Sequence, residues 1–143
     1  MLNLAKDVAF KGKNGSQRKT VLLVDDDQDF LAQQRSMLEA AGFDVLPAEN
    51  PEQAENVLKE QRPDLAVLDV MMEKKDAGFV LSHRIKKADP TIPIILISSV
   101  MSETGLEFDT ATEEERSWIK ADAMLAKPVR FEQLTREIDR LLK

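Results

Sequence analysis

The run Thr20-Val21-Leu22-Leu23-Val24-Asp25-Asp26-Asp27 constrains this chain more than any other stretch. Its consecutive apolar residues lead straight into three carboxylates. A short unbroken apolar run bounded by polar residues suits a strand buried on both faces, as in the middle of a parallel sheet. Such a strand delivers its last residues to the C-terminal edge of the sheet, the edge at which open α/β sheets bind ligands. Adjacent carboxylates repel one another, and hard oxygen donors so arranged suit a bound Mg²⁺ or Ca²⁺. The plainer alternative is a set of solvated loop residues, one of which caps the following helix.

The pattern recurs along the chain. Asp64-Leu65-Ala66-Val67-Leu68-Asp69 is a second apolar run ending in a carboxylate, and Ile92-Pro93-Ile94-Ile95-Leu96-Ile97 is a third, ending in Ser98-Ser99. Phe43-Asp44-Val45-Leu46 and Ala123-Met124-Leu125-Ala126 are weaker strands, the latter followed by Lys127-Pro128. Between the strands the apolar spacing turns helical. Phe30, Leu31, Gln34, Met37, Leu38 and Ala41 form one helix, with Gly42 as its stop. Asn50-Pro51 supplies a cap residue and a proline for a second, which ends at Arg62-Pro63. Val70 to Ala77 reads as a loop closed by Gly78, followed by a helix carrying Phe79, Leu81 and Ile85. Phe131, Leu134, Ile138, Leu141 and Leu142 share a face of the last helix. Strands alternating with helices in this way predict a doubly wound α/β domain with a five-stranded parallel sheet, helices on both faces and right-handed crossovers.

Composition bounds the function. A chain of 143 residues is most simply one domain with a real core. A net charge of −6 argues against a direct nucleic-acid binder, which needs a basic face for the phosphates. With no cysteine, disulfides, thiolate nucleophiles and zinc–sulfur sites are excluded. No apolar run is long enough to span a membrane, and Met1 to Asp7 has no basic head before an apolar stretch, so the expected location is cytoplasmic. Residues 1–19 stand apart: Lys11 to Lys19 is polar, glycine-containing and basic, which predicts a mobile arm ahead of a domain over 20–143. Leu2, Leu4, Val8 and Phe10 offer that arm a short apolar face for a partner.

Four strand ends thus supply polar groups to one edge: Asp25, Asp26 and Asp27 from the first, Asp69 from the third, Ser98 from the fourth and Lys127 from the fifth. Carboxylates hold Mg²⁺, an aspartate can be the nucleophile of phosphoryl transfer, and a lysine and a hydroxyl can hold the transferred oxygens. In these pieces, and in the order Val21 to Asp26, Asp64 to Met72, Ile94 to Ser99 and Lys127-Pro128, the sequence resembles the receiver domain of two-component response regulators. The resemblance implies a flavodoxin-like sheet of order 2-1-3-4-5. It implies that Asp69 accepts a phosphoryl group from a sensor histidine kinase or histidine phosphotransfer protein. It further implies that Asp25, Asp26, Asp69 and the backbone carbonyl of Met71 hold Mg²⁺, that Ser98 is the switch hydroxyl, and that Lys127 is the phosphate partner. Catalysis would extend at most to the domain's own phosphorylation and dephosphorylation.

The sequence departs from the family pattern in three places. Glu73 stands where the loop after the acceptor usually has proline, Met124 stands where an aromatic switch residue is usual, and the interval from Ser98 to Lys127 is long by roughly two helical turns. The last departure predicts a fourth helix that is displaced, shortened or preceded by an inserted loop, anchored by Phe108, Trp118 and Ile119. Since the last helix ends at Lys143, the expectation is a stand-alone receiver that signals through a downstream protein or a phosphorelay. The alternative is a degenerate receiver, a protein-interaction module that is never phosphorylated. A haloacid-dehalogenase-type phosphohydrolase shares the Asp25-x-Asp27 spacing but needs a second acidic pair after a later strand. An EF-hand fails because Phe30 replaces the required glycine and Ser36 the closing glutamate. A flavin site lacks its phosphate loop. Asp27 reads as a first-turn residue of the first helix, and His83 as a solvated face residue.

Overall fold

A computed structural model describes residues 18–72, 77–98 and 120–143. The elements are β1 (Thr20–Val24), α1 (Gln28–Ala40), β2 (Asp44–Ala48), α2 (Pro51–Glu60), β3 (Leu65–Asp69), α3 (Ala77–Ala88), β4 (Ile94–Ser98), β5 (Ala123–Ala126) and α4 (Phe131–Leu141). All strand pairs are parallel, and the sheet order is β2-β1-β3-β4-β5. The doubly wound architecture expected from the sequence is therefore the architecture found. The predicted fourth helix, the loop position Glu73, Ser99 and the anchors Phe108, Trp118 and Ile119 lie outside the described residues, as do residues 1–17.

Burial explains why the central strands lack alternation. Every residue of β1, β3 and β4 is buried, whereas the edge strands β2 and β5 are only partly covered. Successive side chains point to opposite faces, so each central strand feeds two cores. Leu22, Val24, Ala66, Leu68, Ile94 and Leu96 pack under α2 and α3 with Ala54, Leu81 and Ile85. Val21, Leu23, Leu65, Val67, Ile95 and Ile97 pack under α1 and α4 with Leu31, Leu38, Leu134 and Ile138.

Several local signals resolve into specific bonds. Asp27 is the N-cap of α1 and not a first-turn residue: its side chain accepts the N–H groups of Asp29 and Phe30, each at 3.1 Å. Two orphan donors at a helix start are thereby satisfied. Asn50 caps α2 by accepting the Gln53 N–H at 2.8 Å, with Pro51 in the first turn. Gly42 ends α1 at φ +104°, a backbone state that favours glycine. Arg18, assigned from sequence to the arm, donates to Asp44 and to the carbonyls of Glu39 and Phe43 around that helix end. One boundary moved: α3 starts at Ala77, so Gly78 lies inside the helix and does not close a loop. Glycine's poor helix propensity argues for a loop, but packing against β3 overrides it.

Candidate functional site

Because the five strands are parallel, their C-terminal ends gather on one edge. β1 leads into Asp25, β3 ends at Asp69, β4 ends at Ser98, and β5 leads into Lys127. Register brings them level: Asp69 pairs with Ile97, and Ser98 with Ala126. Carboxylate oxygens of Asp25, Asp26 and Asp69 all lie within 4.8 Å of one another. Asp25 and Asp69 are buried, at 1% and 5% exposure, and Asp26 faces solvent. Lys127 Nζ reaches over the sheet edge to Asp25 Oδ2 at 3.3 Å and to Asp69 Oδ1 at 3.7 Å. Its backbone N–H donates to the Ser98 carbonyl at 3.0 Å, which ties the start of the β5–α4 connection to the end of β4. The Lys127-Pro128 peptide is cis.

The electrostatics are unbalanced. Burial pushes the Asp69 carboxyl up to about 7, and the neighbouring Asp25 charge adds to the rise, while Lys127 opposes it. Burial also raises Asp25, against the Asp27 N–H that donates to its Oδ1 at 2.9 Å and against the Lys127 charge. Three carboxylates facing one ammonium leave an excess of hard, negative oxygen donors, a set that fits a small divalent cation bound through carboxylates. The donors present therefore fit Mg²⁺, and they lack the soft or imidazole ligands that other metals favour.

Of the residues singled out from sequence, Asp25, Asp26, Asp69 and Lys127 come together as one cluster, and Ser98 is buried on the adjoining strand end at 1% exposure. Met71 lies two residues after Asp69, and its backbone N–H donates to the Asp69 carboxylate. Met124 sits apart from the charges, in mid-β5 opposite Leu96, packed half-buried on the core under α2 and α3. Two residues were missed. Phe30, assigned to the core face of the first helix, places its ring centroid 4.9 Å from Lys127 Nζ, a cation–π contact. Gly78 meets the backbone at the end of β3: its N–H donates to the Val70 carbonyl at 2.8 Å, and an added Cβ would fall 2.6 Å from the Val70 Cα. Neither contact has a signal in sequence spacing.

Comparison with known proteins identifies the family. Residues 21–139 match the family model described as the response regulator receiver domain. The phosphate regulon transcriptional regulatory protein PhoB of Pseudomonas aeruginosa is 32% identical over 87% of this chain and 52% of its own length. The transcriptional regulatory protein RprY of Bacteroides fragilis is 31% identical over 89% of this chain and 50% of its own length. The chain thus spans about half the length of these curated relatives. Among solved structures, the response regulator TrrA of Thermotoga maritima, in complex with Mg²⁺ and BeF, superposes with a TM-score of 0.68 at 26% identity, covering 87% of this chain and 99% of its own. A receiver domain from Clostridium thermocellum shares the fold with a TM-score of 0.73 at 22% identity, over 87% of this chain and 94% of its own. With a family model matched across residues 21–139 and an acidic triad at the expected sheet edge, this chain belongs to the response regulator receiver domain family.

Proposed function

We propose that Asp69 is the phosphoacceptor of this receiver, and that a sensor histidine kinase or a histidine phosphotransfer protein is its donor. An Asp69 carboxylate oxygen attacks the phosphorus of a phosphohistidine. The new P–O bond gives an acyl phosphate, the P–N bond breaks, and the departing imidazole nitrogen takes up a proton. Asp25, Asp26, Asp69 and the Met71 carbonyl would hold Mg²⁺, which neutralises charge on the transferring phosphoryl oxygens when bound. Lys127 favours the ionised form of Asp69, against burial and the Asp25 charge, and is within reach of a phosphoryl oxygen on it. The Ser98 hydroxyl, buried at the next strand end, is the proposed switch donor to the acyl phosphate.

One observation carries the reading: Lys127 Nζ bridges Asp25 and Asp69, at 3.3 and 3.7 Å, on a triad of carboxylates within 4.8 Å. The phosphorylated domain then signals through a protein partner or passes the phosphoryl group along a relay, with no catalysis beyond its own phosphorylation and dephosphorylation. The acidic net charge of −6 supports a protein partner over direct nucleic-acid contact. A cytoplasmic location follows from that role, and among the described residues no helix is long and apolar enough to cross a membrane. Incubation with acetyl phosphate and Mg²⁺ followed by intact-mass measurement tests the site. A single phosphoryl adduct that disappears in Asp69→Asn is expected. No adduct in the wild-type chain would favour the unphosphorylated interaction module instead.

A further inference from the structure

Away from the acidic edge, α3 borders two adjoining depressions. The first is a groove of about 330 Å³ between α2 and α3, floored by Leu58, Leu81, Ile85 and Ile92. Its sides are held by two ion pairs across the helices and loops, Arg84 to Glu55 at 2.7 Å and Arg62 to Asp89 at 2.6 Å. The second is a cradle of about 420 Å³ lined, among the described residues, by His83, Arg84, Lys86, Lys87, Pro90 and Lys120, none of them acidic. Arg84 lines both, so the two are continuous along the helix.

The ordinary explanation for basic residues at a helix C-terminus is the helix dipole, and it accounts for Lys86 and Lys87. It does not account for Lys120, which comes from the segment leading into β5. Lys120 is placed there by a specific bond: the buried Ser82 hydroxyl donates to its carbonyl, with Lys120 at φ 57°. Lys86 is already paired with Asp122 at 2.8 Å. Among the described residues no carboxylate is bonded to Lys87 or Lys120, and both are exposed. On a chain of net charge −6, this is a local excess of positive charge among the described residues.

We propose that this surface docks an acidic amphipathic helix of a partner protein. Its apolar side enters the α2–α3 groove, and its carboxylates lie on the cradle formed by Lys87 and Lys120. An apolar trough beside a basic shelf is the complement of such a helix, which anchors through residues spaced i, i+3, i+4 and i+7. Charge fixes its register, and apolar burial supplies the affinity. The surface uses no residue of the acidic site. α3 runs antiparallel to the strands, from Gly78 beside Val70 to the turn before β4, so the cradle lies at the opposite end of the molecule from Asp69.

The test uses the full chain and a synthetic helical peptide with leucines at i, i+3, i+4 and i+7 and glutamates along one flank, read by fluorescence anisotropy. Saturable binding is expected, weakened at least about tenfold by Lys87→Glu with Lys120→Glu, and weakened similarly by Leu58→Glu in the groove. Circular dichroism confirms that each variant is folded. A scrambled peptide of the same composition that binds equally well would overturn the proposal, as would indifference to the two lysine reversals. Binding that appears only after Glu113, Glu114 and Glu115 are changed to glutamine would overturn it too, because the chain's own acidic run would then be the occupant.

Discussion

Asp69 carries both the proposed chemistry and an electrostatic liability. A carboxyl with a folded value near 7 binds its proton more tightly than in the unfolded chain, where it titrates near the ordinary aspartate value of about 3.9. The protonated form therefore favours folding. That stability is complete below about pH 4 and is lost as pH rises through about 7. Asp25, raised in the same direction, adds to the slope. Asp89 does not: Thr91 and Arg62 hold it down at about 2, so its contribution is present throughout this window and is lost only in strong acid. In EDTA, urea unfolding is expected to show the protein less stable at pH 8 than at pH 5 by about 2 kcal/mol, allowing for solvent screening at the mouth of the site. Asp69→Asn should flatten most of that slope. A slope unchanged by the substitution would remove Asp69 from the account. Gln34 makes a second case at this scale. It is 4% exposed on α1, and its side-chain oxygen has no hydrogen-bond partner among the described residues. Gln34→Met is expected to raise stability by about 1 kcal/mol in the same assay, because an unmet buried acceptor costs more than an apolar side chain there.

At the scale of elements, the two glycines that matter are constrained for different reasons. Gly42 has open space around it and a φ of +104°, so its constraint is conformational. Gly78 has no such φ; its constraint is the end of β3, whose Asp69 and Val70 backbone occupies the place of a side chain. Gly78→Ala is expected to push the start of α3 off β3 and cost about 2–3 kcal/mol. It should also slow acetyl-phosphate labelling, since the Asp69 carboxylate is held partly by the Met71 N–H in the same connection. Gly42→Ala should cost about 1 kcal/mol and leave labelling alone. Equal labelling by the two variants would separate α3 from the site. These elements also show what a sequence discloses. The three fully buried strands were legible because a parallel sheet covered on both faces leaves an unbroken apolar run, and the placement of Asp25, Asp69 and Ser98 at their ends followed from that. Asn50-Pro51 was legible because a cap is written in adjacent residues. Asp27 was placed one position too deep because a first-turn acid and an N-cap look alike in sequence. Gly78 and Phe30 escaped because their constraint comes from residues distant along the chain, the strand end at Val70 and the ammonium of Lys127.

At the scale of the whole molecule, the sheet separates two charge regimes. Carboxylates that begin or end on strands β1 and β3 concentrate negative charge at one edge, and α3 carries positive charge to the other. The acidic edge is paid for by the core beneath it: β1, β3 and β4 are completely buried, and that apolar frame holds Asp25 and Asp69 together against their repulsion. A divalent cation that binds only the folded chain should relieve the repulsion and stabilise in proportion to its occupancy, by about 1.4 kcal/mol when its concentration is about ten times the dissociation constant. Because the cation requires ionised carboxylates, its effect must grow with pH, opposite in sign to the slope of the metal-free protein. Thermal unfolding in Mg²⁺ against EDTA at pH 5, 6.5 and 8 is therefore expected to give curves that diverge upward through the Asp69 titration near 7. In Asp25→Asn the divergence should shrink, since that substitution removes one donor and part of the repulsion together. A Mg²⁺ effect of the same size at pH 5 and pH 8 would place the ion somewhere other than on these carboxylates, because only a site whose ligands lose protons across that interval can couple the two.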